Sequence, residues 1–133
     1  MPENKSIPGS AEEWLARAQG DLALARAPLP VGAFYEDLCF HAQQAAEKAL
    51  KAVYLVHGWT FRYVHDLEEL VTGLRERDLP VPDDVARAVV LTGYAFEVRY
   101  PGFGERVTVD EYQQAVALAQ GVVQWADTLV ERG

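Results

Sequence analysis

The sequence predicts an all-α protein, a four- to five-helix up-and-down bundle, on three observations. Apolar residues recur three and four positions apart in segment after segment, the spacing of an amphipathic helix face. Cap signals precede three of those segments. No stretch alternates with the period of two that a half-buried strand needs, and no internal repeat or low-complexity segment interrupts the pattern.

Residues 1–9, with Pro2 and Pro8, read as a flexible lead, and residues 10–133 as a single domain. Ser10 and Glu13 have capping-box spacing and open helix one, whose inward face is Leu15, Ala18, Leu22 and Ala25. Pro28 and Pro30 end it. Helix two runs from about Ala33 to His57, with Gly58 placed for the left-handed residue past its end. Its stripe is Leu38, Ala42, Ala45, Ala49, Val53 and Val56, mostly alanine, so a neighbouring helix can come close. Residues 59–65 form a link. Asp66, with Glu69 three on, starts helix three, which carries Leu67, Leu70, Val71 and Leu74. After the turn "DLPVPDD", helix four presents Val85, Val89, Thr92 and Phe96 and stops near Tyr100, because Pro101 disfavours helical geometry before it. "PGFGERV" is a loop. Thr108 and Glu111 then open helix five, with Tyr112, Val116, Ala119, Val123, Ala126 and Val130 or Leu129 inward.

Length and charge bound the function. A chain of 133 residues, half of them apolar, can bury one core without staples. The single cysteine, Cys39, has no partner for an internal disulfide, reads as a small core residue and fits a reducing compartment. With no secretory pattern at the N-terminus and no apolar run of spanning length, the expectation is a cytoplasmic protein without membrane contact. A net charge of −8 argues against attachment to DNA or to any long nucleic acid, since that affinity comes from cations neutralising phosphates. The charge is uneven. Between Leu38 and His65, Lys48, Lys51 and Arg62 stand against Glu47 alone, a net +2, which leaves −10 for the remainder.

That basic island lies on helix two. At about 100° per residue, Gln44, Lys48 and Lys51 fall within roughly 60° of one another, with His41 beside them. Lysines at the margin of a core can lay their stems on apolar surface and offer ammonium groups to a phosphate. Equally, such lysines extend into water, and Glu47 with Lys51 reads as an ordinary i,i+4 surface pair. His65 beside Asp66, with Arg62 close in sequence, is a candidate proton-transfer group. Against that, Asp66 has sufficient work as a helix cap. No Glu-x-x-His pairs, phosphate loop, dinucleotide fingerprint, nucleophile elbow or Cys/His arrangement is present, so no metal and no cofactor are expected. Trp14, Trp59 and Trp125 read as core or interface anchors.

"FHAQQAAEKALKAVYLVHG", followed by "HDLEEL" and then "EVRYPG", resembles the HEPN family, the higher-eukaryote and prokaryote nucleotide-binding domain, and the likeness extends from "WLARAQGDLALA" to the last helix. The resemblance implies a helical bundle, a homodimer, and partnership with a minimal nucleotidyltransferase; many members are metal-independent RNases of toxin–antitoxin systems. RNase members carry an arginine followed, after four to six residues, by a histidine. His41, His57 and His65 are the only histidines here, and the positions five to seven before them read Phe-Tyr-Glu, Leu-Lys-Ala and Gly-Trp-Thr. The motif is absent. Arg99 matches the arginine of the family's Arg-Tyr-Pro signature, with Tyr100 and Pro101 after it, but no imidazole follows. An arginine can hold a phosphate yet is a poor general base, so Arg99 is either a phosphate ligand or a structural ion-pair partner, for instance of Glu47. The reading that results is a nucleotide- or RNA-end-binding subunit using Lys48, Lys51 and Arg99, with Gln44 and His41 alongside. Two others stand beside it: a divergent RNase built on His65 and Arg62, and a purely structural helical subunit.

Overall fold

The computed structural model describes residues 9–95 and 106–132, and all regular structure among them is helical. α1 spans Ala11–Ala25, α2 Tyr35–Val56, α3 Leu67–Glu76 and α4 Asp83–Ala86. A 3-10 segment, Arg87–Ala95, continues α4, and α5 spans Val109–Arg132. The all-α bundle expected from the sequence is the fold observed.

Local chemistry sets most of the ends. The Ser10 hydroxyl accepts the Glu13 amide at 3.2 Å, and Glu12 and Glu13 place negative charge in the first turn of α1, where the helix dipole favours it. The Thr108/Glu111 box is complete: the Glu111 amide donates to the threonine hydroxyl at 3.1 Å and the Thr108 amide to the glutamate at 2.9 Å. Asp66 caps α3 differently from the expected box, accepting from the Glu68 amide at 3.0 Å while Glu69 turns to Arg62. At the end of α2, Gly58 takes φ +76°. Its amide reaches Leu55 O and the Trp59 amide reaches Tyr54 O, which satisfies the last carbonyls. The same closure ends α3, with Asp78 at φ +63° in glycine's place, a conformation short polar residues tolerate.

The fourth helix departs from expectation. In place of an α-helical face of Val85, Val89, Thr92 and Phe96, the buried residues are Val85, Ala88 and Leu91. They are spaced by three because a 3-10 turn repeats every three residues. Val89 and Thr92 are only half-buried, and the Thr92 hydroxyl accepts the Leu67 amide at 3.0 Å, a second cap for α3. Phe96 and the predicted stop near Tyr100 lie outside the described residues.

α2 is the central element, packed against α1, α5, α3 and the 3-10 segment. Ala42, Ala45 and Ala49 of the predicted stripe have no exposure at all, Ala46 and Ala52 widen it beyond the prediction, and Val56 at its end is only half-buried. Cys39 is as buried as these alanines. Burial and the nearby Glu36 push its thiol up to about 12, so it stays neutral and behaves as a core residue. Two phenols bolt the layers together: Tyr112 donates to Ala25 O and Tyr54 to Leu70 O, both at 2.6 Å.

Candidate functional site

α2 turns about 100° per residue, so Gln43, Glu47 and Lys51, at i,i+4 spacing, form a polar row that shares Lys51 with the one predicted. This row is buried. Gln43 has 0% exposure and Glu47 and Lys51 3% each. Lys51 Nζ lies 2.8 Å from Glu47 Oε2, and its ammonium faces the rings of Phe61, Trp14 and Tyr63 at 5.4, 5.6 and 6.0 Å from their centroids. The other Glu47 oxygen meets His65 Nδ1 at 2.9 Å and accepts from Gln43 at 3.1 Å and Gln44 at 3.3 Å. Gln43 also donates to His65 O at 3.1 Å. Glutamine, glutamate and lysine thereby fasten the 59–66 link over α2.

The surface-pair reading of Glu47 and Lys51 is therefore corrected. Their side chains are 5% and 4% exposed, because Trp14 and the aromatic link cover a helix face that the apolar pattern leaves open. Burial by itself would raise the Glu47 pKa, but hydrogen bonds from Lys51, His65 and Gln43 and the lysine charge outweigh it and hold the carboxyl below its usual value. The Lys51 ammonium, enclosed by Glu47 and three rings, does not face open solvent.

Lys48 is placed differently. It bonds Asp21 of α1 at 2.7 Å, and the other Asp21 oxygen meets His41 Nδ1 at 3.0 Å. Lys48 and His41 keep 28% and 34% of their side-chain exposure, and Gln44 is half-buried next to them. This edge is polar and reachable, with one carboxylate already engaging both Lys48 and His41. An incoming phosphate competes with Asp21 for Lys48 rather than finding a bare ammonium.

His65 and Arg62 do not share one partner: His65 stands against Glu47, while Arg62 lies 3.4 Å from Glu69 and is 78% exposed. His57 bonds Val53 O at 2.8 Å and stacks on Trp59 with ring centroids 4.5 Å apart. All three imidazoles thus have a carboxylate or carbonyl at Nδ1. Arg99, Tyr100 and Pro101 lie outside the described residues. No group of three His, Cys, Asp or Glu side chains suited to a metal occurs among the described residues, and no described helix is long and apolar enough to cross a membrane.

Sequence reasoning missed Asp21 and Gln43. Asp21 carries a faint signal, an acid three residues after Ala18 on the inward face of α1, where burial calls for a hydrogen-bonding or charged partner. Gln43 has another, four residues before Glu47.

With this geometry in place, three comparisons bear on identity. A family model described as HEPN domain matches residues 11–129. No curated protein matches the chain. Among solved structures, TT1696 from Thermus thermophilus is 31% identical with a TM-score of 0.74, covering 90% of this chain and 97% of that one. An archaeal HEPN homologue is 26% identical with a TM-score of 0.72, covering 91% and 98%.

Proposed function

The chain belongs to the HEPN domain family, a fold of nucleotide-binding and RNase type, and from that premise we propose that it is a binding subunit rather than a nuclease. It acts as a homodimer beside a minimal nucleotidyltransferase and holds a nucleotide phosphate or RNA end at the Lys48 edge. The observation that carries this reading is the histidine inventory. None of His41, His57 and His65 follows an arginine at the RNase spacing. Lys48, with Gln44 and His41, is the cationic edge of α2 that reaches solvent, whereas Lys51 serves the buried network. Arg99 joins Lys48 on the strength of the sequence pattern alone.

Titration calorimetry with ATP, GTP and short phosphorylated RNAs tests the ligand. A charge-assisted hydrogen bond contributes about 1.5–3 kcal/mol, so Lys48→Ala is expected to weaken binding roughly ten- to hundredfold. No heat with any of them, or unchanged binding in the variant, removes the ligand from the reading. The nucleotidyltransferase is tested separately by co-expression: failure of the two purified proteins to co-elute refutes the partnership.

One observation favours a second reading, a divergent RNase. Glu47 behind His65 Nδ1 is the arrangement that orients an imidazole for proton transfer, and His65 is 54% exposed on its side chain. Cleavage of tRNA or total RNA that vanishes in His65→Ala, assayed across several pH values, would establish the enzyme and displace the binding reading.

A further inference from the structure

A groove of about 880 Å³ runs between the 3-10 segment and α5, lined by residues of α3, α4, the 3-10 segment and α5 and clear of both polar networks on α2. Val89, Val90 and Leu118 make its apolar floor, and Arg75, Arg87 and Asp83 stand around it. Val90 is 68% exposed, the wrong side for a residue whose only work is the core. Val89 and Leu118 pack partly against that core and show the groove their remaining surface. Among the described residues, neither arginine forms an ion pair with an acid. The groove therefore carries a net +1 on a chain of net −8.

We propose that this groove docks an amphipathic acidic helix from a partner protein, its apolar face on Val89, Val90 and Leu118 and its carboxylates on Arg75 and Arg87. A helix laid in a groove presents apolar anchors three and four apart, which suits a floor made of two helical walls. Charge complementarity selects the acidic kind: the groove's lining is net positive on a chain of net −8. The inference goes beyond the partnered reading above by naming a face and a chemistry, and it holds whichever protein supplies the helix and whether or not a nucleotide binds.

Two fluorescent helical peptides of about five turns, sharing one leucine face but bearing glutamates or lysines on the other, test it by anisotropy with the full chain. The acidic peptide is expected to bind roughly tenfold tighter, opposite to the preference a chain of net −8 shows without a site. Val90→Asp, at an exposed position, is expected to abolish that binding, and Arg87→Glu to reverse the preference. Equal binding of the two peptides, no binding of either, or acidic-peptide binding unchanged in both variants overturns the proposal. Self-association of the chain that disappears in Val90→Asp also overturns it, by assigning the groove to a second copy.

Discussion

Glu47→Ala is expected to lower the unfolding free energy by about 3–5 kcal/mol, the cost of leaving a buried charge without its partner. An exposed i,i+4 pair contributes only about 0–1 kcal/mol, so the size of the loss separates the enclosed pair from a solvated one. At 3% exposure Lys51 has no water to replace the carboxylate, and the rings of Phe61, Trp14 and Tyr63 offset little of the lost Coulomb energy. His65 and Gln43 lose an acceptor in the same substitution, so the 59–66 link loosens with it. Replacing both partners with apolar residues, Glu47→Leu with Lys51→Met, is expected to recover the part of the loss that comes from the stranded lysine charge and to leave the part that comes from the acceptor lost to His65 and Gln43. Urea denaturation of the two single variants and the double variant gives the coupling directly. A loss under about 1 kcal/mol in Glu47→Ala would mean that the pair is solvated after all.

The same carboxyl sets an acid dependence. Its folded pKa lies below the ordinary 4.5, so its contribution is fully present above that value and is lost as pH falls through the lower, folded one. Stability followed by denaturation from pH 6 downward should fall on the acid side, and Glu47→Gln, which has nothing to titrate there, should fall less steeply. Parallel acid limbs would assign the loss to other carboxylates.

The helical frame was legible because its signals are local. Leu67, Leu70, Val71 and Leu74 repeat within one helix, and Thr108 and Glu111 cap their own. The 3-10 segment was not, because periods of 3 and 3.6 diverge by only one position over the first two turns from Val85, and the choice between Ala88 and Val89 rests on packing against distant elements. The site was legible in composition but not in arrangement. Gln44, Lys48 and Lys51 share one helix face, and nothing within that face says that a link closing 10–12 residues later covers Lys51 and leaves Lys48 reachable. The carboxylate that holds Lys48 comes from Asp21, 27 residues away on another helix. Pairings of that range are decided by tertiary packing, which a single sequence does not display.

Gly73→Ala should destabilise the protein where the ordinary rule has the opposite sign. Alanine in a helix interior is favoured over glycine by about 1 kcal/mol, and Gly73 lies within α3. A Cβ built there runs into the Tyr54 hydroxyl, which donates to Leu70 O at 2.6 Å. The phenol has little room to retreat. It is 3% exposed, its ring meets Phe61 and Trp59 edge-on at 5.9 and 6.4 Å between centroids, and the Arg77 guanidinium lies over it at 5.5 Å. Displacing it forfeits a buried hydrogen bond, about 1–3 kcal/mol, and forces repacking of about the same size, so the net loss is about 1–5 kcal/mol after the helical gain. Gly20→Ala and Gly121→Ala, where an added Cβ meets nothing within 4 Å, are expected to stabilise by about 0.5–1 kcal/mol. In a Tyr54→Phe background the cost of Gly73→Ala should shrink, because the colliding oxygen is gone. Urea midpoints for these variants decide the matter, and a Gly73→Ala protein as stable as Gly121→Ala would mean that Tyr54 does not bind α2 to α3 through the gap that glycine leaves.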